Sequence, residues 1–241
     1  MNILYLKQPI TRHQYVFNEH AINILKNRFR IYLNRFLAYI RTYNPILTDE
    51  QEFEFAIFLK TLFKLIVLVT ECEKKDSILN EIDNMSSSFI CHVLLYEKCR
   101  EFFGLTLEID RVKLEEIDWS LDSWGKNYWR FLHALSIILQ YHYEKKSVRS
   151  LHNYLAALLL NFDLVLPCSN CRYNYKNQNP LINVSLPLIY SEDAIFMVYS
   201  LHNDVRSVSG IDKYSFNQFL HDWGIQISAS NVSTLDAKYL L

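Results

Sequence analysis

Two of the five cysteines in this 241-residue chain lie three residues apart, in the stretch LPCSNCRYNY. They are Cys168 and Cys171. A pair at this spacing can form an exchangeable disulfide, or it can supply half of the ligands of a zinc site. The spacing alone does not decide between these two chemistries, so the surrounding sequence has to do so.

A zinc site is disfavoured by the rest of the chain. Such a site needs four ligands, which usually come from a second Cys-X-X-Cys or from a close pair of histidines. Cys99 is far upstream, and His152 and His202 are isolated in the sequence. We therefore predict no metal ligands.

A thioredoxin-like dithiol is also disfavoured, because it would follow a strand of a βαβ unit. The segment upstream of the pair, SVRSLHNYLAALLLNFDLVLP, is instead typical of a helix. Pro167 ends this segment and predicts that Cys168 lies at or near the start of a new helix. Free amide groups and the helix dipole favour a thiolate there. Cys171 would lie one turn later, on nearly the same face.

The composition predicts that helices position this pair. Half of the residues are hydrophobic, and the chain contains only four glycines and five prolines. Strand-and-turn architectures need more turn residues, so long helices with few connections are favoured. The formal net charge of -1 gives no reason to expect a nucleic-acid or membrane-surface partner.

The location predicted from the sequence is the cytoplasm or nucleus rather than a secretory compartment. The N-terminal stretch MNILYLKQPI lacks the features of a signal peptide. Five sparse cysteines do not resemble a secreted disulfide scaffold. The most apolar stretch, IFLKTLFKLIVLVTEC, is interrupted by Lys60 and Lys64 and is too short to cross a bilayer.

Apolar residues at spacings of three and four predict helices in both halves of the chain. Pro45 separates the first two, and Thr48 to Gln51 has the pattern of a helix cap. We expect residues 73–88 to be loop-rich, 104–125 to be a linker with room for one strand, and the tail after Gly224 to be irregular. The predicted helices span residues 12–44, 48–72, 87–103, 123–143, 147–162, a short stretch from 168, 193–208, and a last one capped by Asp212 or Ser215 and ending at Trp223.

Two further groups of residues have types and spacings suited to a ligand. Gly125, Trp129 and His133 recur every four residues and share one helical stripe. A glycine early in a helix lowers helix stability and allows close approach of another group. Each aromatic residue taken alone is more often part of a core.

A second stripe follows downstream, in VYSLHNDVRSVSG. Its polar members face one side of a predicted helix, although asparagine is a poor helix former. Such a stripe indicates either a ligand-facing surface or an ordinary solvated face. The stripe consists of Tyr199, His202, Asn203 and Arg206.

Taken together and in this order, the three stretches resemble the Erv/ALR family of FAD-dependent sulfhydryl oxidases. The family pattern is Trp-Gly-x-x-x-Trp-x-x-Leu-His, then Cys-x-x-Cys, then His-Asn-x-Val-Asn. The resemblance covers about residues 120 to 225, and the narrower match is to the viral, baculovirus-type members. The matching residues are Trp124, Gly125, Trp129, Leu132, His133, Cys168, Cys171, His202, Asn203 and Val205.

The resemblance implies an all-α fold with two parts. Residues 111–241 would form a four-helix bundle of Erv/ALR type enclosing FAD. Residues 1–110 would form a flavin-less helical domain for dimerisation or partner binding. It also implies a homodimer, found in the cytoplasm or nucleus of an infected cell or in the virion.

The resemblance also implies an activity and roles for individual residues. Dithiols of protein substrates would be oxidised to disulfides while O₂ is reduced to hydrogen peroxide. Cys168 would be attacked by the substrate, and Cys171 would face the flavin. The remaining roles concern FAD alone. Its pocket would be lined by Gly125, Trp129, His133 and Tyr175. Its adenine would stack on His202, and polar contacts would come from Asn203 and Arg206.

The chain departs from the family pattern at several positions. Arg206 replaces the last asparagine of the third motif, and Asn174 with Tyr175 replaces the usual His-Phe or His-Tyr. Arg172 and Lys176 are candidates for the pyrophosphate, or ordinary solvated charges. Cys72, Cys91 and Cys99 form no further Cys-x-x-Cys that could shuttle electrons.

Two other interpretations remain open at this point. The chain could be a non-enzymatic helical scaffold or partner-binding protein in which the Cys-x-x-Cys is incidental. It could also be a zinc-binding helical module. A Rossmann-type FAD site is disfavoured because the chain contains no Gly-x-Gly-x-x-Gly stretch.

Overall fold

The computed structural model describes residues 10–42, 48–70, 74–85, 118–146, 148–228 and 233–235. Within these ranges the protein is mostly helical, with nine α-helices and four strands of three residues each. The expectation of a helical protein is confirmed. The helices are α1 (Glu19–Thr42), α2 (Asp49–Val69), α3 (Lys75–Asn84), α4 (Leu121–Lys146), α5 (Ser150–Leu160), α6 (Ser169–Asn177), α7 (Leu186–Ser191), α8 (Ala194–Val208) and α9 (Phe216–Trp223).

Helix α4 is central to the packing. It contacts α1 and α8, while α2 packs mainly on α5. Phe36 of α1 stacks on Phe131 of α4 with ring centroids 4.1 Å apart. The domain boundary predicted between residues 110 and 111 lies outside the described residues. The described helices on both sides of it belong to one hydrophobic cluster.

Several helix starts follow the local signals in the sequence. Thr48 caps α2 in a capping box with Gln51, as predicted. Ser215 caps α9 by accepting a hydrogen bond from the Gln218 amide at 3.2 Å. Gly224 ends the same helix at a φ of 67°, in the left-handed region that glycine adopts without strain.

Three of the sequence predictions are wrong. The helix predicted over residues 12–44 begins only at Glu19, because Tyr15–Phe17 form a strand that pairs with a distant part of the chain. Residues 73–88 were expected to be loop-rich, but Lys75–Asn84 form α3, which buries Ile78 and Ile82 four residues apart. The tail after Gly224 was expected to be irregular, but Ile225–Ile227 form a strand. The helix predicted over 87–103 and most of the linker predicted over 104–125 fall outside the described residues, and α4 begins within that linker at Leu121.

The four strands join the two ends of the described chain. Strand β1 (Ile10–Arg12) pairs antiparallel with β4 (Ser233–Leu235). Strand β2 (Tyr15–Phe17) pairs antiparallel with β3 (Ile225–Ile227). Each pair is separated by more than 200 residues of sequence, so no local pattern signals the pairing.

Residues 10–17, which we call the N-terminal strap, are bound to the start of α8. Asp193 is 0% exposed and caps α8 through the Phe196 amide at 3.0 Å. Its carboxylate also accepts hydrogen bonds from the backbone and ring Nδ1 of His13, at 2.9 and 2.7 Å, and from the Tyr15 hydroxyl at 2.6 Å. Arg12 pairs with the neighbouring Glu192 at 2.8 Å.

None of the helices in the described ranges has both the length and the apolar character needed to cross a membrane.

Candidate active site

The cysteine pair is joined by a disulfide at the start of α6. Cys168 is the N-cap residue of this helix, as the sequence predicts, and its Cα lies 5.1 Å from that of Cys171. The Cys168 sulfur accepts a hydrogen bond from the Cys171 amide at 3.3 Å. An N-cap position with an amide donor stabilises a thiolate when the disulfide is reduced.

An apolar cleft lies beside this disulfide. It is bounded by α4, by α6, by α8 and by the 3-10 turn Phe162–Val165, and it holds about 750 Å³ of space including its open mouth. Cys171 lines the cleft, and Cys168 is not among the residues that do so. The two cysteines therefore have different surroundings, and Cys171 is the one at the cleft.

Gly125 leaves room in the cleft wall. A Cβ atom added at this position would have only one neighbour within 4 Å, the Cδ1 atom of Leu121 at 3.5 Å. Because Gly125 lines the cleft, a methyl group there would occupy cleft space. Trp124 and Trp129 flank this bare stretch of backbone and also line the cleft.

Two tyrosines form the inner wall of the cleft. Tyr175 is buried, and its hydroxyl donates to the Leu159 carbonyl at 2.5 Å. Burial raises the pKa of Tyr175, and Asp163 adds to this. Tyr128 is buried as well and donates to the Val165 carbonyl at 2.7 Å. Both hydroxyls are bonded to backbone, so the rings present an apolar surface.

Tyr128 is a cleft residue that the sequence analysis did not single out. It follows Gly125 by three residues, so the same helical periodicity that marks Gly125 and Trp129 also places Tyr128 near that face. Val205 and Leu201 of α8 close the opposite wall.

His133, His202 and Trp129 form a cluster of their own next to the cleft. The Trp129 and His202 rings stack at 4.0 Å with an interplanar angle of 12°. His133 Nε2 and His202 Nδ1 are 2.9 Å apart, so one ring donates to the other. The Nδ1 atom of His133 is buried and has no hydrogen-bond partner in the described structure.

Both histidines are held in the neutral form. Burial lowers the pKa of His133 well below its usual value, and His202 adds to the effect. Burial, followed by the charge of Arg206, lowers the pKa of His202 to about 4. Two uncharged rings beside Trp129 make an aromatic surface rather than a charged one.

Asn203 and Arg206 are engaged with a loop in this structure. The Asn203 side chain donates to the Tyr214 carbonyl at 2.8 Å and accepts from its amide at 2.9 Å. Arg206 donates two hydrogen bonds to the Asp212 carbonyl, at 2.8 and 3.0 Å. Their predicted contacts with a cofactor stay predictions.

The two candidate phosphate ligands on α6 also stay predictions. Lys176 pairs with the buried Asp163 at 3.1 Å. Arg172 lies one turn after Cys168, and its amide donates to the Cys168 carbonyl at 3.0 Å. The three other cysteines lie outside the described residues; they are Cys72, Cys91 and Cys99.

The structure therefore brings four predicted site residues into one cleft, namely Gly125, Trp129, Cys171 and Tyr175. It places His133 and His202 in the adjoining cluster. An apolar cleft with a bare backbone stretch, aromatic walls and one sulfur fits a flat ring system. Within the described ranges, no group of three or more His, Cys, Asp or Glu side chains is arranged to hold a metal ion.

Comparisons with known proteins add nothing to this geometry. No protein-family model, no curated protein and no solved structure matches the chain at a significant level.

Proposed function

We propose that this protein is an FAD-dependent sulfhydryl oxidase of the Erv/ALR type. The observation that carries the proposal is that Cys171, one sulfur of a disulfide at a helix start, lines an apolar aromatic cleft. A disulfide that only stabilised the fold would need neither the N-cap position nor the cleft. The motif resemblance and the helical architecture agree with this function.

The proposed thiol chemistry uses the two sulfurs in different roles. A substrate thiolate attacks Cys168, forms a mixed disulfide and releases Cys171 as a thiolate facing the cleft. A second substrate thiolate then attacks the substrate sulfur of the mixed disulfide and releases Cys168. The substrate leaves as a disulfide, and the protein holds two reduced sulfurs.

The position of Cys168 at the start of α6 assists the second exchange. In that step Cys168 is the leaving group, and a thiol of lower pKa leaves faster. The Cys171 amide and the helix dipole stabilise the departing thiolate. The same stabilisation favours the reduced state and makes the disulfide a stronger oxidant.

FAD would be held by Gly125, Trp129 and Tyr175 in the cleft, with His133 and His202 beside it. When bound, it supplies the acceptor for the electron pair of the reduced cysteines and the route to O₂, which becomes hydrogen peroxide. The apolar lining of the cleft would limit water around the half-buried Cys171, and the neutral histidines add no positive charge to the aromatic wall.

Protein dithiols are the proposed substrates, since free thiolates of proteins are the partners that such a disulfide exchanges with. The family resemblance further supports a homodimer of viral origin that works in the cytoplasm or nucleus of the infected cell. In this proposal the N-terminal half contributes to dimerisation or partner binding.

The first test is the purified chain itself. We expect flavin absorbance in a ratio near one per chain and oxygen consumption that depends on added dithiothreitol. A colourless, well-folded protein that consumes no oxygen would instead support the scaffold interpretation. Zinc found by metal analysis of such a sample would support the interpretation as a zinc-binding helical module.

A further inference from the structure

Tyr128 connects the cleft with the segment that leads to the disulfide. Its ring lines the cleft and is 2% exposed. Its hydroxyl donates to the carbonyl of Val165 at 2.7 Å, and Val165 is fully buried. Val165 ends the 3-10 turn and lies three residues before Cys168. The hydrogen bond thus ties α4 to the backbone from which the disulfide projects.

Phe36 of α1 fixes the ring of Tyr128 from behind. Phe36 is 0% exposed and meets Tyr128 edge-to-face, with ring centroids 4.7 Å apart. It also lies parallel to Phe162 at 6.1 Å, and Phe162 belongs to the same 3-10 turn and lines the cleft. One side chain from the N-terminal half therefore contacts both Tyr128 and Phe162, which line the cleft.

We propose that Tyr128 is a positioning residue for the Cys168–Cys171 disulfide and that Phe36 holds Tyr128 in place. This inference rests on the proposed function and deepens it. The Tyr128 hydroxyl sets where the 3-10 turn lies relative to α4. The position of the 3-10 turn then determines how Cys171 is placed at the cleft. It also determines how the amides at the start of α6 contact the Cys168 sulfur.

The consequence is that the N-terminal half takes part in the redox site, although none of the three sequence motifs lies in it. Helix α1 supports the cleft wall through the contacts of Phe36 with Tyr128 and Phe162. A replacement in α1 that touches neither the cleft nor the cysteines should therefore change the thiol–disulfide equilibrium, provided it loosens Tyr128.

The test compares two tyrosine variants that each lose one hydroxyl. Tyr128→Phe removes the donor to Val165 and leaves a buried carbonyl unpaired. Tyr39→Phe is the matched control, because Tyr39 belongs to the same aromatic cluster but its hydroxyl binds Ser123 at 2.8 Å, at the start of α4. The measured quantity is the equilibrium of the Cys168–Cys171 pair with glutathione, under anaerobic conditions, by trapping the free thiols.

We expect Tyr128→Phe to shift this equilibrium constant by about threefold or more, the size that loss of one neutral hydrogen bond allows. Tyr39→Phe should leave it unchanged while lowering stability by a similar amount. An equal shift in both variants, or no shift in Tyr128→Phe, would overturn the proposal.

A second pair of variants tests the role of α1. Phe36→Leu loosens the support of Tyr128, whereas Phe29→Leu removes a buried ring that stacks on Phe131 of α4. Only Phe36→Leu should shift the glutathione equilibrium. An unchanged equilibrium in this variant would refute the role of Phe36. Both tests need only the disulfide in the full chain, so they can be read even if the chain binds no flavin.

Discussion

The two ends of helix α4 carry different kinds of side chain: apolar residues that line the cleft at one end, and a buried polar residue at the other. Near its start, Gly125, Tyr128 and Trp129 form an apolar wall facing Cys171. Near its end, the fully buried side chain of Gln140 accepts from the Ala194 amide at 3.0 Å and donates to the Glu192 carbonyl at 3.1 Å. The first end lines a cleft, and the second binds other parts of the chain.

The difference separates residues that line the cleft from residues that hold parts of the fold together. At the polar end, Gln140, Glu192 and Asp193 join α4, the start of α8 and the N-terminal strap through directed hydrogen bonds. Removing one partner there leaves buried donors unpaired, which destabilises the fold. At the cleft end, a change in shape or in a sulfur atom should alter binding and reactivity with little effect on folding.

The largest expected effect is at the cleft end. Replacing Cys171 with serine should leave flavin binding nearly unchanged, because serine is close in size. Thiol-dependent oxygen consumption should fall to the level of buffer alone, since no thiolate then faces the cleft. Oxygen electrode measurements at equal flavin concentration check this. Persistent consumption in Cys171→Ser would remove the assigned role.

The next effect is at the polar end. Asp193→Ala should lower the free energy of unfolding by about 3 to 5 kcal/mol, because several buried donors lose their acceptor in one change. The His13, Tyr15 and Phe196 donors lose their acceptor. Urea unfolding measures the loss.

The control for that variant is Asp83→Ala. Asp83 pairs with Lys64, and its side chain is 58% exposed, so we expect a loss below about 1 kcal/mol. Similar losses in the two variants would contradict the distinction between a buried joint and a surface ion pair. The glutathione equilibrium of the cysteine pair should stay unchanged in folded Asp193→Ala.

A third effect is the pH dependence of stability. Histidines near both the cleft end and the polar end of α4 contribute to it. Burial lowers the pKa of His202 to about 4 at the cleft end and that of His152 to about 4 at the polar end. The unfolded chain therefore binds protons more readily than the folded one. The stabilisation is fully present above the unfolded pKa of about 6.5 and is lost as the pH falls toward about 4.

Each histidine should account for a loss on the order of 1 to 3 kcal/mol over this range. The partial exposure of His202 puts it at the lower end. Urea unfolding between pH 7 and pH 4 measures the slope, and His202→Gln and His152→Gln should each flatten it. A wild-type stability that rises on acidification would show that the sign is wrong.

The smallest effect is expected for Gly125→Ala, and it has opposite signs for folding and binding. Alanine in a helix interior is favoured over glycine by about 1 kcal/mol, and the new methyl group meets only Leu121 at an ordinary distance. Stability should rise, while FAD affinity should fall by about fivefold or more, because overpacking a matched site costs about 1 kcal/mol. Thermal unfolding and flavin titration check the two signs. Unchanged affinity would show that this face of α4 does not contact the cofactor.

The sequence predicted most of the helical scaffold because its signals are local. The capping box at Thr48, the proline before Cys168 and the cap at Ser215 each mark a helix start within a few residues. The helix α3 was missed because its polar residues hide an apolar pair only four residues apart. Pairing of the strap with the C-terminal strands depends on residues far apart in sequence, which no local pattern records.

The candidate site was predicted in part for the same reason. Gly125, Trp129 and Cys171 were found from spacing, since helical periodicity places them on one side of their helices. Tyr128 and Phe36 were not, because their contribution depends on how α1 and the 3-10 turn pack behind the cleft. Only the folded structure shows that contact.

The central claim is that the cleft beside Cys171 holds a flavin within reach of the sulfur. The most direct measurement is the absorbance of bound flavin during anaerobic titration with a dithiol. We predict that the absorbance bleaches in the wild-type chain and stays unchanged in Cys171→Ser. A wild-type flavin that remains oxidised while the Cys168–Cys171 disulfide becomes fully reduced would contradict the claim.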